Sequence, residues 1–333
     1  MQNQFATCGV RLRAALLGIV LSAVTGTAAM AADTDPYPSR PLTIVVPSVA
    51  GNVNDAAARL IGQELTKTWN QPVIVENKPG AGTTTGTKYV ARAEKDGYTV
   101  LLTFTAHVQN PSLYQRIGYD PIADFAPVSE VAISYTVLAV SSDFPARTLK
   151  DVVALVTANP GKYPYGSYGA GTTGHILGEL FKREAGLDMT HVAYKGGAPL
   201  VTDLAAGHVK IGLVPVGTAM SLLQSGKIIP VALAGAERSA LLPNVPTFRE
   251  AGYKGFEPDA WMGLMFPAGV PKARVDALSR EVARIVRMPE IAKKMKDLNL
   301  EPVGNSPDAF AAVLKSDQDK WNRIIRDVGI AME

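Results

Sequence analysis

Short apolar runs and helix-period segments alternate along almost the whole chain, and this order restricts the fold more than any other feature. Residues 42–46 (LTIVV) read as a strand and 55–69 as a helix. A strand at 73–76, a helix at 84–93 and a strand at 99–104 follow. The pattern restarts with a strand at 136–140, a helix at 149–158, a strand at 163–166, a helix at 174–185, a strand at 190–193 and a helix at 198–206, then strands at 209–214 and 229–233. The tail reads as helix over 272–287 and 307–328, with Val275, Leu278, Val282, Ile285 and Val286 on one face. Strand–helix–strand order specifies parallel sheets covered by helices. Two such units are expected, with a ligand cleft between them beyond the carboxyl ends of their strands. A chain of 333 residues, 47% hydrophobic, can give each unit its own core.

The first thirty residues read as an address, not as fold. Arg11 and Arg13 precede the apolar run Ala14 to Leu21, and small residues lead to Ala29-Met30-Ala31. This is a secretory signal peptide, residues 1–31, with cleavage expected near Ala31 and a periplasmic destination. The apolar run is short for a bilayer span. The formal net charge is +3, and losing Arg11 and Arg13 leaves 3 − 2 = +1. A nearly neutral chain has no long-range field for nucleic acid. The single cysteine, Cys8, lies in the leader, so the mature chain is expected to have no disulfide and no cysteine nucleophile.

Small-residue loops carry the functional signal. Gly169-Ala170-Gly171-Thr172-Thr173-Gly174 is a literal G-x-G-x-x-G between a strand and a helix. A dinucleotide site would need an acid at the end of the next strand. Asp188 instead precedes that strand, which ends in Tyr194-Lys195-Gly196. No Gly-Lys-Ser/Thr phosphate loop occurs either, and no cofactor is expected. An anion site remains: amides at a helix start lack partners and carry partial positive charge, and Ser167, Thr172 and Thr173 add hydroxyls. The same residues would also serve as an ordinary capped turn. The loop Pro47-Ser48-Val49-Ala50-Gly51-Asn52-Val53-Asn54-Asp55 has the same placement in the first unit. There Asn52 and Asn54 offer amide donors, and Asp55 is expected to cap the helix.

These motifs resemble the substrate-binding receptors of tripartite tricarboxylate transporters, the Bug family. The resemblance rests on Tyr37-Pro38-Ser39-Arg40-Pro41, Val75-Glu76-Asn77-Lys78-Pro79-Gly80-Ala81-Gly82, Asp96-Gly97-Tyr98-Thr99 and Asn110-Pro111-Ser112-Leu113-Tyr114. It continues through Tyr119-Asp120-Pro121, Asp124 to Val128, His175 with Gly178 to Phe181, His191-Val192, Leu242 to Thr247 and Pro267-Ala268-Gly269. It implies an α/β, two-domain, hinged "Venus flytrap" like the periplasmic binding proteins, each domain a mainly parallel sheet flanked by helices. Domain 1 would comprise residues 37–134 and 263–333 and domain 2 residues 135–262, with hinge crossovers near 133–137 and 259–263. It implies a monomer that binds a small carboxylate through residues 48–55 and 167–175 and delivers it to membrane permease subunits. The site residues carried over are Ser48, Val49, Asn52, Asn54, Asp55, Ser167, Tyr168, Gly169, Thr172, Thr173 and His175. Phe104, His107, Asp203 and Trp261 join them as expected cleft residues, although Phe104 and Trp261 would serve equally as core.

Departures from the family pattern bear on the ligand. The first loop has lost two prolines and a glycine and gained polar donors. Tyr168 stands where a small residue is usual, and Val214 where an acid is common. A cleft with more aromatic and amide character and one acid fewer suits a flat dicarboxylate better than an amino acid, whose ammonium would want an acid partner. The resemblance extends to terephthalate receptors, with aliphatic di- and tricarboxylates as alternatives. An exported hydrolase is the competing class. It would need a nucleophile, a base and an orienting acid. The sequence has four histidines, no G-x-S-x-G and no zinc-type cluster. His175 near Ser167 is the one pairing to consider.

Overall fold

The computed structural model describes residues 37–257 and 260–332. The expected signal peptide and the crossover residue Asp259 lie outside the described residues. Strand β1 (Leu42–Val46) pairs in parallel with β2 (Val73–Asn77) and β3 (Thr99–Phe104). Helix α1 (Val53–Trp69) follows β1, a short 3-10 turn and α2 (Thr84–Ala91) follow β2, and α3 (Ala106–Leu113) follows β3. Two antiparallel strands complete this sheet beside β4 (Phe125–Ser134): β10 (Ala260–Pro267) lies between β3 and β4, and β11 (Glu301–Pro302) lies outside β4.

After Tyr135 the chain enters a second sheet as β5 (Thr136–Ser141). Helix α4 (Leu149–Thr157) follows, then β6 (Tyr165–Ser167), α5 (Thr173–Ala185), β7 (His191–Ala193), α6 (Gly197–Ala206), β8 (Ile211–Pro215), α7 (Val216–Gln224) and β9 (Ile228–Ala234). The strand order is β7-β6-β8-β5-β9, with β6 parallel to β7 and β8, and β5 antiparallel to β8 and β9. The fold class is α/β with two domains, but both sheets are mixed rather than mainly parallel. The reversed strands are β10 and β11 in the first sheet and β5 in the second; β10 and β5 lie next to the chain crossings.

Helices α8 (Lys272–Val286), α9 (Pro289–Asp297) and α10 (Pro307–Val328) complete the chain. One core beside the first sheet sets Leu42, Ile44 and Val46 of β1 against Ile61 and Leu65 of α1 and Leu278, Val282 and Ile285 of α8. A second core, beside the other sheet, packs Val137 and Ala139 against Leu200 and Leu204. Val45 of β1 belongs to a third core with Val90, Leu101 and Val108, so alternate β1 residues enter two different hydrophobic layers, which explains why LTIVV has no polar alternation. Helix α10 packs on both α3 and α5, and its Phe310 and Trp321 are fully buried.

Gly263 in β10 lies directly beneath the Phe310 ring, and a Cβ there would overlap it. Replacing Gly263 by Ala is therefore expected to cost about 1–3 kcal/mol of stability by overpacking. Urea denaturation measures this, and a loss below about 0.5 kcal/mol would show that the ring moves freely.

Candidate ligand-binding cleft

One cavity of about 400 Å³ separates the two sheets. Six helix starts line it: Asn52, Val53 and Asn54 of α1, Thr83 before α2, Thr105 and Ala106 of α3, Thr172 and Thr173 of α5, Gly197 of α6 and Pro215 before α7. Each of these helices follows one of the mutually parallel strands β1, β2, β3, β6, β7 and β8. The helix after the reversed strand β5 is the counterexample. Its start is closed by a capping box between Thr148 and Asp151, and it does not line the cavity. Among the described residues, no Asp, Glu, Lys, Arg or His lines the space. Positive potential there comes from helix dipoles and from those first-turn amides that have no partner, the arrangement that suits an anion. Phe104, Tyr114, Tyr168 and Trp261 supply flat apolar wall.

The first-sheet loops are braced from behind. Asn52, not Asp55, caps α1: its Oδ1 accepts the Asp55 N–H at 3.0 Å. Asp55 is buried in the first turn, accepts the Gly51 N–H at 2.9 Å and pairs with Arg59. Burial pushes its carboxyl up, but the Arg59 and Gly51 contacts more than offset this and hold it below the usual carboxylate range. Asn77 donates to the Ser48 carbonyl at 3.2 Å and ties the loop to β2. Thr83 has φ +85, a left-handed conformation that costs a branched residue strain. Asn110 Nδ2 holds that turn by donating to the Gly82 carbonyl at 2.8 Å and to Thr83 Oγ1 at 3.1 Å.

A sequence profile described as tripartite tricarboxylate transporter family receptor matches residues 57–330. The chain belongs to this family. It resembles the solved periplasmic binding protein BugD, with 33% identity, a TM-score of 0.76, and coverage of 89% of this chain and 100% of that one. Rpa4515 of R. palustris, solved with adipate, gives 32% identity, a TM-score of 0.79 and the same coverage of 89% and 100%. MatC from Rhodopseudomonas palustris, solved with bound malate, gives 30% identity and a TM-score of 0.75 over 87% of this chain and 100% of that one. The protein is thus a periplasmic solute-binding receptor for carboxylates, not an enzyme, and its family works with membrane transporter components.

The receptor brings Asn52, Asn54, Phe104, Tyr168, Thr172, Thr173 and Trp261 together around the cavity. The other expected residues stand behind it or apart from it. The Ser48 hydroxyl is buried and Val49 is exposed. Asp55 braces its loop as described. His107 is fully buried, hydrogen-bonded through Nε2 to the Pro121 carbonyl at 2.8 Å and stacked with Tyr119. Asp203 accepts from the Tyr194 hydroxyl at 2.9 Å and pairs with His208. Val214 is fully buried in the core. Residues that sequence reasoning did not assign also line the cavity: Gln109, Asn110, Tyr114, Gly82, Thr83, Ser134 and Thr136. Gln109 Nε2 donates to Thr173 Oγ1 at 3.1 Å, so α3 and α5 touch across the wall.

Ser167 pairs with His191 rather than with His175, its Oγ lying 2.7 Å from Nε2. The two imidazoles stack with centroids 3.9 Å apart, and His175 Nδ1 accepts the Gly171 N–H at 3.1 Å. The Ser167 hydroxyl also lies 3.1 Å from the Gly169 carbonyl and accepts the Gly169 N–H at 3.3 Å, so its contact with His191 is one bond of a network that holds the loop. The cluster shapes the loop; Ser167 is fully buried and does not line the cavity.

His107 is pushed down to about 4 by burial, which outweighs the bond to Pro121. His191 is pushed down to about 4 by burial and then by neighbouring His175. Unfolded histidine titrates near ~6.5, so between those values the unfolded chain holds more protons. Stability from this source is complete above pH ~6.5 and is lost as pH falls toward about 4. The denaturation midpoint should fall between pH 7 and pH 5, and a His107→Gln/His191→Gln variant should show a clearly flatter slope. An unchanged slope in that variant would assign the effect to other groups.

Proposed function

We propose that this receptor captures an aromatic dicarboxylate, such as terephthalate, and presents it to the permease of a tripartite tricarboxylate-type transporter. The single observation that supports this most is the uncharged, aromatic-walled cavity ringed by helix starts. Anion affinity there derives from aimed neutral donors, and among the described residues no carboxylate lines the cavity to pair with a ligand ammonium. Asn52, Asn54 and the α1 amides form one seat in this reading, and Thr172 and Thr173 belong to the other. Phe104 and Trp261, neighbours on β3 and β10, border the flat middle of the ligand. Ser48, Val49, Asp55, His107, Ser167, Gly169, His175 and Asp203 support these walls without touching the ligand. A charge-assisted hydrogen bond contributes roughly 1.5–3 kcal/mol, and micromolar affinity needs about 8 kcal/mol, so a few such bonds at each end suffice. Export with cleavage near Ala31 and a monomeric state belong to the same reading. So does the division into residues 37–134 with 263–333 and residues 135–262, hinged at the two crossings.

Aliphatic diacids are the second reading, favoured by the two receptor structures compared above, one solved with adipate and the other with bound malate. A thermal-shift titration with terephthalate, benzoate, adipate and citrate separates the two. Terephthalate at about a hundred times its Kd should stabilise the fold by about 2.7 kcal/mol, and benzoate should do much less. Equal shifts for terephthalate and benzoate would rule out two-ended docking. A shift with adipate and none with terephthalate would select the aliphatic reading.

A further inference from the structure

The second-sheet seat is not an open helix start. The Tyr168 hydroxyl lies on it and accepts the Gly174 N–H at 3.0 Å. The ring packs flat on α5, and a Cβ on Gly174 would collide with it. The last glycine of the G-x-G-x-x-G run is therefore explained by this ring. Other donors of the same loop are also spent internally. Gly171 N–H goes to His175 Nδ1 at 3.1 Å, and the Thr172 N–H and hydroxyl both go to the Gly169 carbonyl, at 3.3 and 2.7 Å. Having accepted from Gly174, the Tyr168 hydroxyl has its own proton left to give; its neighbours for it are Thr136 Oγ1 at 3.5 Å, too long for a full O–H···O bond, and the Thr173 side chain, and a carboxylate oxygen is a stronger acceptor than either hydroxyl. Burial pushes the phenol above its ordinary range, so it stays a donor at any pH the folded protein meets.

Resting on the carboxylate reading of this cleft, we propose that Tyr168 determines its ligand specificity. The hydroxyl, polarised by the Gly174 amide, carries the donor function of the α5 start into the cavity and bonds one end of the ligand. The span between the two seats is then measured from the tip of Tyr168 and not from the helix backbone. The residue shortens the site by most of a side chain and selects compact diacids over long ones.

Calorimetric titration of the wild-type, Tyr168→Phe and Tyr168→Gly receptors with terephthalate, benzoate, adipate and sebacate tests this. Tyr168→Phe keeps the ring and should lose about 10- to 100-fold in affinity for the preferred short diacid, against about threefold or less for benzoate, which needs only the first seat. Tyr168→Gly should reverse the preference between adipate and sebacate. Wild-type affinities in Tyr168→Phe would overturn the role of Tyr168 while leaving the carboxylate reading intact. A wild-type receptor that binds none of the four acids would overturn both. Should Tyr168→Gly fail to fold by circular dichroism, Tyr168→Phe decides alone.

Discussion

The molecule depends on one electrostatic constraint: six helix starts converge on a space that, among the described residues, no charged side chain lines. The constraint is topological before it is chemical. A helix that follows a strand begins at that strand's carboxyl end, so every helix after a member of a parallel set begins on the same side of the sheet. Strands β1, β2 and β3 place three helix starts on one wall, and β6, β7 and β8 place three on the other. The reversed strand β5 sends its helix start elsewhere, where Thr148 and Asp151 satisfy it locally. Strand direction thus decides which helix starts face the cavity and which are turned away from it.

Neutral donors have a cost profile different from that of lysine or arginine. A charged side chain in the cavity would lose rotamer freedom on binding and would need its own counter-charge when the site is empty. Backbone amides are already ordered by the helices, and the loops that carry them are held by Asn77, Asp55 and Asn110. The ordering cost is met during folding, which leaves more of each hydrogen bond for affinity. Strain at Thr83 belongs to the same economy: a left-handed threonine is tolerated because Asn110 fixes both its hydroxyl and the preceding carbonyl. The same absence of charge excludes as well as binds. A ligand ammonium would be buried without a partner, because Val214 occupies a core position and no acid reaches the cavity among the described residues.

Periodicity made much of the scaffold legible. Strands β1 and β3 and helix α10 have the boundaries read from the sequence, since β-branched runs and apolar helical faces are local signals. Helix α3 was hidden because Pro111 lies inside it, and with it went Gln109, Asn110 and Tyr114 as cavity residues. Strand β10 was hidden because Gly263 interrupts a methionine- and aromatic-rich run, and the reason for that glycine, Phe310, lies far away in sequence. The loops at 48–55 and 167–175 could be located, but not the division of labour within them. Whether Asn52 or Asp55 caps α1, and whether Ser167 meets His175 or His191, depends on loop geometry and on packing between β6 and β7 that no local pattern encodes. The resemblance to a receptor family supplied the pairing of the two loops, which periodicity alone does not.

Around the cavity the hydrogen bonds that cross from one sheet's helices to the other's join neutral groups, whereas farther out Arg183 of α5 pairs with Asp327 of α10 at 3.3 Å and Glu301 of β11 accepts from the Ser239 hydroxyl and the Ala240 N–H. Gln109 meets Thr173 in the wall, Asn299 Nδ2 reaches the Gly217 carbonyl at 3.3 Å, and Met332 packs on Gly171 while its N–H is bonded to the Leu113 carbonyl at 2.7 Å. Net contributions of such hydrogen bonds are about 0.5–1.5 kcal/mol each. These neutral bonds therefore add little to holding the two cavity walls together, beside the packing of α10 on α5. A ligand touching both walls adds differential affinity for the closed form, and about 5.5 kcal/mol of it moves a two-state equilibrium from 1:99 to 99:1. Two charge-assisted bonds on each wall reach that range, whereas a ligand held by one wall alone gains nothing from closure. Weak neutral cross-contacts and strong ligand-dependent ones are thus complementary, and the amide-lined cavity supplies the second while leaving the first weak.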